Sequence, residues 1–209
     1  MNNTKRSLIF GLSLIFTTIT FTLLLTTMPR VSTKTIFYIS LYIIMPLTFF
    51  LIRKIYINRN FNKSQIFFSL KGKQKNANMR IILYAIILFT EYKLYNSFSN
   101  INMYLTILFF LAVTEFYIFI SNKSTKVYFL NQSIIVYGLD FRIDIPLNDD
   151  IKNTSGIYAY ADFDEYSIKK NIFTLHLDNK RGTISMILPE DKFPHIVAFI
   201  QSKNIKHID

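Results

Sequence analysis

The chain has 209 residues, 24 basic and 13 acidic side chains, a formal net charge of +11, 51% apolar residues and no cysteine. This composition excludes a disordered chain, which would lack so many large apolar side chains, and it excludes disulfides and thiolate metal sites. A mean hydropathy of +0.27 beside such a high net charge is typical of a membrane protein, whose apolar residues lie in lipid and whose charges lie in loops.

The excess positive charge belongs entirely to the first part of the chain. Residues 1–121 contain 13 basic side chains and two acidic ones, Glu91 and Glu115, whereas residues 122–209 contain 11 of each sign. In the first part the basic residues flank apolar runs, as they do in membrane proteins. A nucleic-acid-binding protein would instead present a basic face with contacts built around it. We therefore expect no nucleic acid as a partner.

Two apolar runs predict a first pair of membrane helices. Residues 7–28 carry no charge and are long enough to cross a bilayer core of about 30 Å. The basic start Lys5-Arg6 also fits a signal peptide, but no small-residue cleavage site follows the run, so we expect a retained helix. Residues 35–52 form the second uncharged run, and a membrane helix tolerates its proline. The short link between the runs predicts a tight antiparallel hairpin.

Two further runs predict a second hairpin within the membrane domain of residues 1–121. Residues 81–98 form the weakest run, because Glu91 and Lys93 interrupt it, and residues 101–120 form the fourth run, which contains Glu115. An ionisable group within a span is costly, so these two glutamates are the candidate intramembrane polar residues. A structural or interfacial role and an ion- or ligand-binding role are both open for them.

Lysines and arginines predict the orientation of these helices. The loop of residues 53–80 contains no acidic residue and eight basic ones: Arg53, Lys54, Arg59, Lys63, Lys71, Lys73, Lys75 and Arg80. Positive loops stay inside, so we expect a multi-pass protein of the cell membrane with both termini in the cytoplasm. The eight residues are candidate membrane-surface groups, since each basic side chain near an anionic leaflet adds about 1 kcal/mol of attraction. The mixed segment 61–71 fits either a short helix on the inner surface or a loop whose charges only set the topology.

After about residue 122 the periodicity changes and predicts a cytoplasmic β-rich domain over residues 122–209. Residues 127–130 and 133–137 are β-branched and aromatic runs around Asn131-Gln132, which predicts a hairpin. The other predicted elements are strands at residues 141–145, 156–160, 172–177 and 183–188, an acidic turn at 161–165, and a closing amphipathic helix at about 190–203 with an apolar stripe of Phe193, Ile196, Val197, Ile200 and Ile205. We expect six or seven short antiparallel strands that bury this stripe.

This order of elements resembles the bacterial pleckstrin-homology-like domains found behind membrane helices. The resemblance rests on residues 134–137, the run Phe141-Arg142-Ile143-Asp144-Ile145-Pro146-Leu147, residues 173–177 and 182–188, and the helix over residues 193–200. It covers about residues 122–209 and implies a small, partly open barrel with a C-terminal helix, used for binding or assembly and not for catalysis. Many members of that family have two membrane helices per domain, whereas this sequence predicts four.

No catalytic or metal-binding pattern stands out in the sequence. The three histidines, His176, His195 and His207, have no partner at ligand spacing. The acidic cluster Asp162-Phe163-Asp164-Glu165 lies in a predicted turn, where aspartate favours local hydrogen bonds. The sequence contains no glycine-rich phosphate loop and no G-x-S-x-G or H-E-x-x-H motif. We therefore expect no catalytic residue, no metal and no cofactor.

Two classes of function follow from this layout. The first is a non-enzymatic integral membrane protein whose cytoplasmic domain binds another protein or a membrane-active peptide; one concrete form is immunity of a bacterial cell to a bacteriocin or toxin. The alternative is a small transporter or channel component that uses Glu91 or Glu115, which four short helices would achieve only as a homo-oligomer. An enzyme acting on lipids or cell-wall precursors would need convergent polar groups, which the sequence does not offer.

Overall fold

The computed structural model describes residues 3–61, 65–73, 84–85, 87–89, 101–141, 151–152, 155–178 and 182–208. Within this part of the chain, three helices are long and apolar enough to cross a membrane: Thr4–Thr27, Thr35–Asn60 and Tyr104–Ser124. A mainly-β domain with a C-terminal helix completes the structure. The predicted fold class of membrane-length helices followed by a β-rich domain is confirmed at this level.

The first two of these helices form the predicted antiparallel hairpin. Helix α1 covers Asn3–Thr27, and after a turn α2 (Thr33–Ile39) continues through a π-helical turn (Ser40–Ile44) into α3 (Met45–Asn60). The wider π turn ends two residues before Pro46, whose ring nitrogen has no hydrogen to donate, and the helix continues through this point. The two arms contact each other in opposite directions: Lys5 lies beside Tyr56 and Phe21 beside Phe37.

Helix α4 (Ile101–Ser124) is the third helix of membrane length. Residues 84–85 and 87–89 are also helical. A buried cluster joins these residues, α4 and the second span; it consists of Tyr38, Ile87, Ile107 and Phe110. The rest of the helix predicted at residues 81–98, including Glu91, lies outside the described residues.

Nine strands form one sheet within the described part of the chain. They are β1 (Ile66–Gly72), β2 (Lys126–Leu130), β3 (Ser133–Tyr137), β4 (Ile151–Lys152), β5 (Gly156–Ala159), β6 (Phe163–Lys169), β7 (Ile172–Leu177), β8 (Gly182–Ile187) and β9 (Lys206–His207). Their order is β5-β3-β2-β1-β8-β7-β6-β9, and β4 pairs with β8. The pairs β4–β8 and β6–β9 are parallel, and the others are antiparallel.

Strand β1 comes from the basic loop that the sequence places between the two helical hairpins. It lies inside the sheet, between β2 and β8. The interpretation of this segment as a short surface helix is therefore wrong for residues 66–71. Phe68 and Leu70 pack in the core while Ser69 and Lys71 are exposed, and this alternation has the period of a strand. The chain thus leaves the sheet after β1 and returns to it at β2, once α4 has been completed.

The strands predicted after residue 122 agree in most places with the structure. The predicted hairpin is β2–β3, residues 172–177 form β7, and the predicted segments 156–160 and 183–188 overlap β5 and β8. The acidic turn is shorter than predicted. A 3-10 turn covers Tyr160–Asp162, and β6 begins directly after it because the side chain of Phe163 is buried in the core. Phe141 lies outside any strand, and residues 142–145 lie outside the described residues.

One hydrophobic core lies between the sheet and α5 (Phe193–Gln201). It receives side chains from both halves of the sheet, among them Val127, Ile134, Tyr158, Tyr166 and Phe173. The sheet therefore curls around a single interior, and α5 closes it with Ile196 and Ile200, as predicted from the stripe. Phe193 belongs to the predicted stripe, but it begins the helix and is 41% exposed.

A hydrogen bond ties the two halves of the curled sheet together. The Tyr160 hydroxyl, in the turn before β6, donates to the Leu130 carbonyl at the end of β2 over 2.7 Å. Burial raises the pKa of the Tyr160 phenol, so this side chain remains a neutral donor.

Candidate functional site at the junction of helices and sheet

A buried ion pair joins helix α3 to the sheet. Arg53 lies two turns before the end of α3, and its Nη1 donates to Asp140 Oδ2 over 2.9 Å; the two side chains are 2% and 0% exposed. The same carboxylate oxygen accepts the Ser155 backbone N–H at 2.9 Å. The guanidinium also lies 4.4 Å from the centre of the Phe49 ring. Charged hydrogen bonds of this kind are the strong ones, and their loss within a buried site is costly.

The loop that carries Asp140 is fastened to the end of α4. Ser121 Oγ donates to the Leu139 carbonyl over 2.9 Å, and the Leu139 N–H donates to Ser124 Oγ over 2.8 Å. Phe141 then lies between the two helices, with its ring 4.9 Å from Phe50 and 4.8 Å from Tyr117. The loop of residues 138–141 therefore contacts both α3 and α4.

The backbone at the end of α4 lies so close to residue 138 that only glycine fits there without a clash. A Cβ atom at this position would lie 2.8 Å from the Thr125 Cα and 3.0 Å from the Ser124 carbonyl oxygen. Because these are backbone atoms, relief requires the loop to move away from α4.

We predict that Gly138→Ala destabilises the full-length protein by about 1–3 kcal/mol, the usual cost of overpacking. Thermal unfolding in neutral detergent micelles measures the effect. Gly11→Ala is the matched control, since a Cβ there meets nothing within 4 Å, and alanine favours a helix over glycine. Equal unfolding temperatures for Gly138→Ala and the wild type would contradict the close contact.

The last two turns of α3 continue past the ion pair and cover the outer face of the sheet. Ile57 is buried against Leu130 and Ile135, and the rings of Tyr128 and Tyr137 lie 5.2 and 5.9 Å from that of Phe61. The same helix thus contains an apolar segment of membrane length and, beyond Arg53, a part that packs on β2 and β3.

The junction is built to hold two parts of the protein together. Its two charges neutralise each other, and the named serine hydroxyls bond to backbone groups. Among the described residues, no group of three or more His, Asp or Glu side chains is placed to hold a metal ion. What this arrangement supplies is a fixed orientation: the loop of residues 138–141 is held against both α3 and α4.

The eight basic residues predicted at the membrane surface occupy different environments. Arg53 is buried in the ion pair instead of lying at the surface. Lys54 is partly buried, with its Nζ 5.4 Å from the Phe50 ring, whereas Arg59, Lys71 and Lys73 are exposed. The other three, Lys63, Lys75 and Arg80, lie outside the described residues.

Glu115 accepts a hydrogen bond from the Tyr84 hydroxyl within the helical part. Glu91, the other predicted intramembrane glutamate, lies outside the described residues. Asp162 accepts the Ala159 N–H at 2.9 Å, which is the local role expected for an acidic turn. His176 bonds to Ser167, and the His207 ring lies 5.0 Å from that of Tyr166.

Asp140 is the residue of this site that sequence reasoning missed. In the sequence it is an ordinary turn residue after Gly138-Leu139. Its partner Arg53 lies 87 positions earlier, so no local pattern connects them. One feature of the sequence pointed to an acidic partner: Arg53 comes directly after an apolar run, and an arginine that is buried there requires a carboxylate or an equivalent partner.

Comparison with known proteins adds no assignment. The sequence matches no model of a protein family, and it matches none of the curated proteins either.

Proposed function

We propose that this is a non-enzymatic integral membrane protein with four spans, whose PH-like β domain lies in the cytoplasm and binds a partner. The partner is another protein or a membrane-active peptide, and the function is self-protection of a bacterial cell against that peptide. The observation that carries the proposal is the junction, where the Arg53–Asp140 pair and the Leu139 hydrogen bonds hold the sheet against the helices. Such fastening suits a recognition domain kept at the membrane.

The path of the chain supports an even number of spans. The Gly72 N–H, at the end of β1, donates to the Thr125 carbonyl, at the end of α4, over 3.0 Å. The chain therefore leaves the sheet and returns to the same place. If α4 crosses the membrane, an even number of spans between Gly72 and Thr125 requires a second crossing, and the sequence predicts one at residues 81–98.

The same argument applies to the N-terminal hairpin. The first arm starts at Asn3 and the second ends at Asn60, six residues before β1 begins at Ile66. Two spans therefore return the chain to the side of the sheet. The positive loop of residues 53–80 makes that side the cytoplasm.

The architecture of the β domain supports the PH-like interpretation. A curled sheet surrounds one core and a single C-terminal helix closes it, which is the arrangement that the sequence resemblance implies. Exposed apolar side chains on this domain offer contact points for a partner: Phe67 is 60% exposed and Phe193 is 41% exposed.

The transporter alternative receives less support. Its candidate residue Glu115 already has a structural partner in Tyr84, and a hydrogen-bonded carboxyl within a helical bundle is explained by the need to satisfy a polar group in an apolar setting. The contacts of Glu115 therefore favour partner binding by the β domain over transport.

Site-specific photocross-linking in living cells tests the binding proposal. A photoreactive amino acid replaces Phe67 or Phe193 in the full-length protein, and mass spectrometry identifies the adducts. The matched control is the same replacement at Leu105, a 60% exposed residue of α4. We expect a defined protein or peptide adduct from the two β-domain positions and only lipid from Leu105.

The possible adducts separate the interpretations. Self-protection would be supported by an adduct with a peptide that kills cells lacking the protein. A specific protein adduct from Leu105 alone would place recognition on the helices, and no protein adduct from any of the three positions would contradict the proposal.

A further inference from the structure

Two lysines lie directly opposite each other on neighbouring strands of the sheet. In the antiparallel pairing of β1 with β2, Lys71 is the partner of Lys126. Residues paired in this way share one face of the sheet, with Cβ atoms about 5 Å apart. Both side chains are exposed, and among the described residues neither ammonium has a carboxylate partner. Like charges in this position destabilise a sheet. An anion from outside the chain that binds between the two lysines would reduce this repulsion.

The position of this pair is set by the end of helix α4. Lys71 and Lys126 are the sheet residues next to the Gly72–Thr125 contact, which closes the gap between β1 and α4. The apolar segment Tyr104–Ser124 has 21 residues, and at about 1.5 Å per residue its length matches the hydrocarbon core of a bilayer. Under the proposed topology, the lysine pair therefore lies at the level of the lipid headgroups.

The surroundings of the pair are basic and partly apolar. Lys73, two residues after Lys71, is exposed, and Lys123 belongs to the last turn of α4. Across the strands, the lysine pair lies between Ile187 of β8 and Tyr137 of β3. The carboxylate of the nearby junction loop is already neutralised, because Asp140 is buried against Arg53.

We propose that Lys71 and Lys126, with Lys123 beside them, bind the phosphate group of an anionic phospholipid in the leaflet that the sheet faces. Ammonium groups act as point charges towards phosphate, so a lipid phosphate relieves the repulsion between the paired lysines. This inference requires the proposed membrane insertion but not the protein partner. The β domain is then oriented by its lipid contacts as well as by the Arg53–Asp140 pair.

Lipid binding by the purified full-length protein tests this inference. Native mass spectrometry in a neutral detergent counts bound lipid after addition of phosphatidylglycerol or of phosphatidylcholine. The variants are Lys71→Gln, Lys126→Gln and the double variant. Lys169→Gln is the matched control, because Lys169 is an exposed lysine at the end of β6 whose strand partner is the apolar Ile172.

We expect phosphatidylglycerol to bind the wild type in preference to phosphatidylcholine. Each lysine substitution weakens this binding about five-fold, and the double substitution weakens it about 25-fold. The control keeps the wild-type affinity. Without anionic lipid, the lysine variants unfold at the wild-type temperature or above it, because they lose a repulsion; this measurement also shows that they are folded.

Three results would overturn the inference. The first is equal binding of the two lipids by the wild type, and the second is an equal loss in the Lys169→Gln control. The third is full competition by millimolar inorganic phosphate or by an acidic peptide, which would assign the lysine pair to a soluble anion or to a protein segment and not to lipid.

Discussion

Asp140→Ala is expected to lower the free energy of unfolding of the full-length protein by about 3–5 kcal/mol, the usual cost of removing one partner from a buried ion pair. The substitution leaves Arg53, which is 2% exposed, without its carboxylate in an apolar setting. It also removes the acceptor of the Ser155 N–H. Chemical unfolding of the purified protein in neutral detergent micelles measures the loss.

Two further variants distinguish the loss of the ion pair from the general effect of removing an acidic side chain. Asp164→Ala removes an exposed carboxylate of the same domain, and its expected effect is within about 0.5 kcal/mol. The double substitution Arg53→Met with Asp140→Leu replaces both charges by apolar groups, which is often neutral. We expect it to recover most of the lost stability. A double variant as unstable as Asp140→Ala would show that the pair does not act as a unit.

Phe129→Ala is expected to cost about 3–5 kcal/mol, the range for phenylalanine in a packed core. Phe129 is fully buried in β2, and its ring centre lies 4.4 Å from that of Phe68 in β1 and 6.4 Å from that of Phe199 in α5. The side chain therefore links β1, which precedes α4, with β2, which follows α4, and with the closing helix α5. Unfolding followed by near-ultraviolet circular dichroism reports this loss of aromatic packing.

The matched control for this core substitution is Phe67→Ala. Phe67 is a neighbour in β1 whose ring lies 5.4 Å from that of Phe199, but its side chain is 60% exposed. We expect a cost below about 1 kcal/mol, because little apolar area returns to water. Similar losses for the two variants would mean that the sheet and α5 do not form the single core described above.

Much of the fold is predictable from the sequence because its signals are local. Uncharged runs of about 20 residues identify helices of membrane length wherever they occur. The alternation in Ile172–Leu177 and the hairpin around Asn131-Gln132 likewise depend only on neighbouring residues. The helix after Pro189 is predictable for the same reason, since its apolar stripe repeats with the helical period.

The sequence could not predict where β1 belongs. The segment Ile66–Gly72 lies in the basic loop of residues 53–80 and follows a helix of membrane length, so the charge of the loop suggested a surface segment. Its strand partners lie after α4 and near the C-terminus, in β2 and β8. Hydrogen bonds between distant strands are a property of the folded chain, and the alternation over a few residues is too short to decide between helix and strand alone.

By itself, the sequence determined the apolar helices, the β-rich domain with its closing helix, and the distribution of charge along the chain. Only the tertiary structure decided which residue each charged side chain meets: Arg53 meets Asp140 across 87 positions, Glu115 meets the hydroxyl of Tyr84, and Lys71 lies opposite Lys126. The physical reason is that burial and pairing of a charge depend on neighbours in space. Helical and strand periods, in contrast, are already present in the order of the residues.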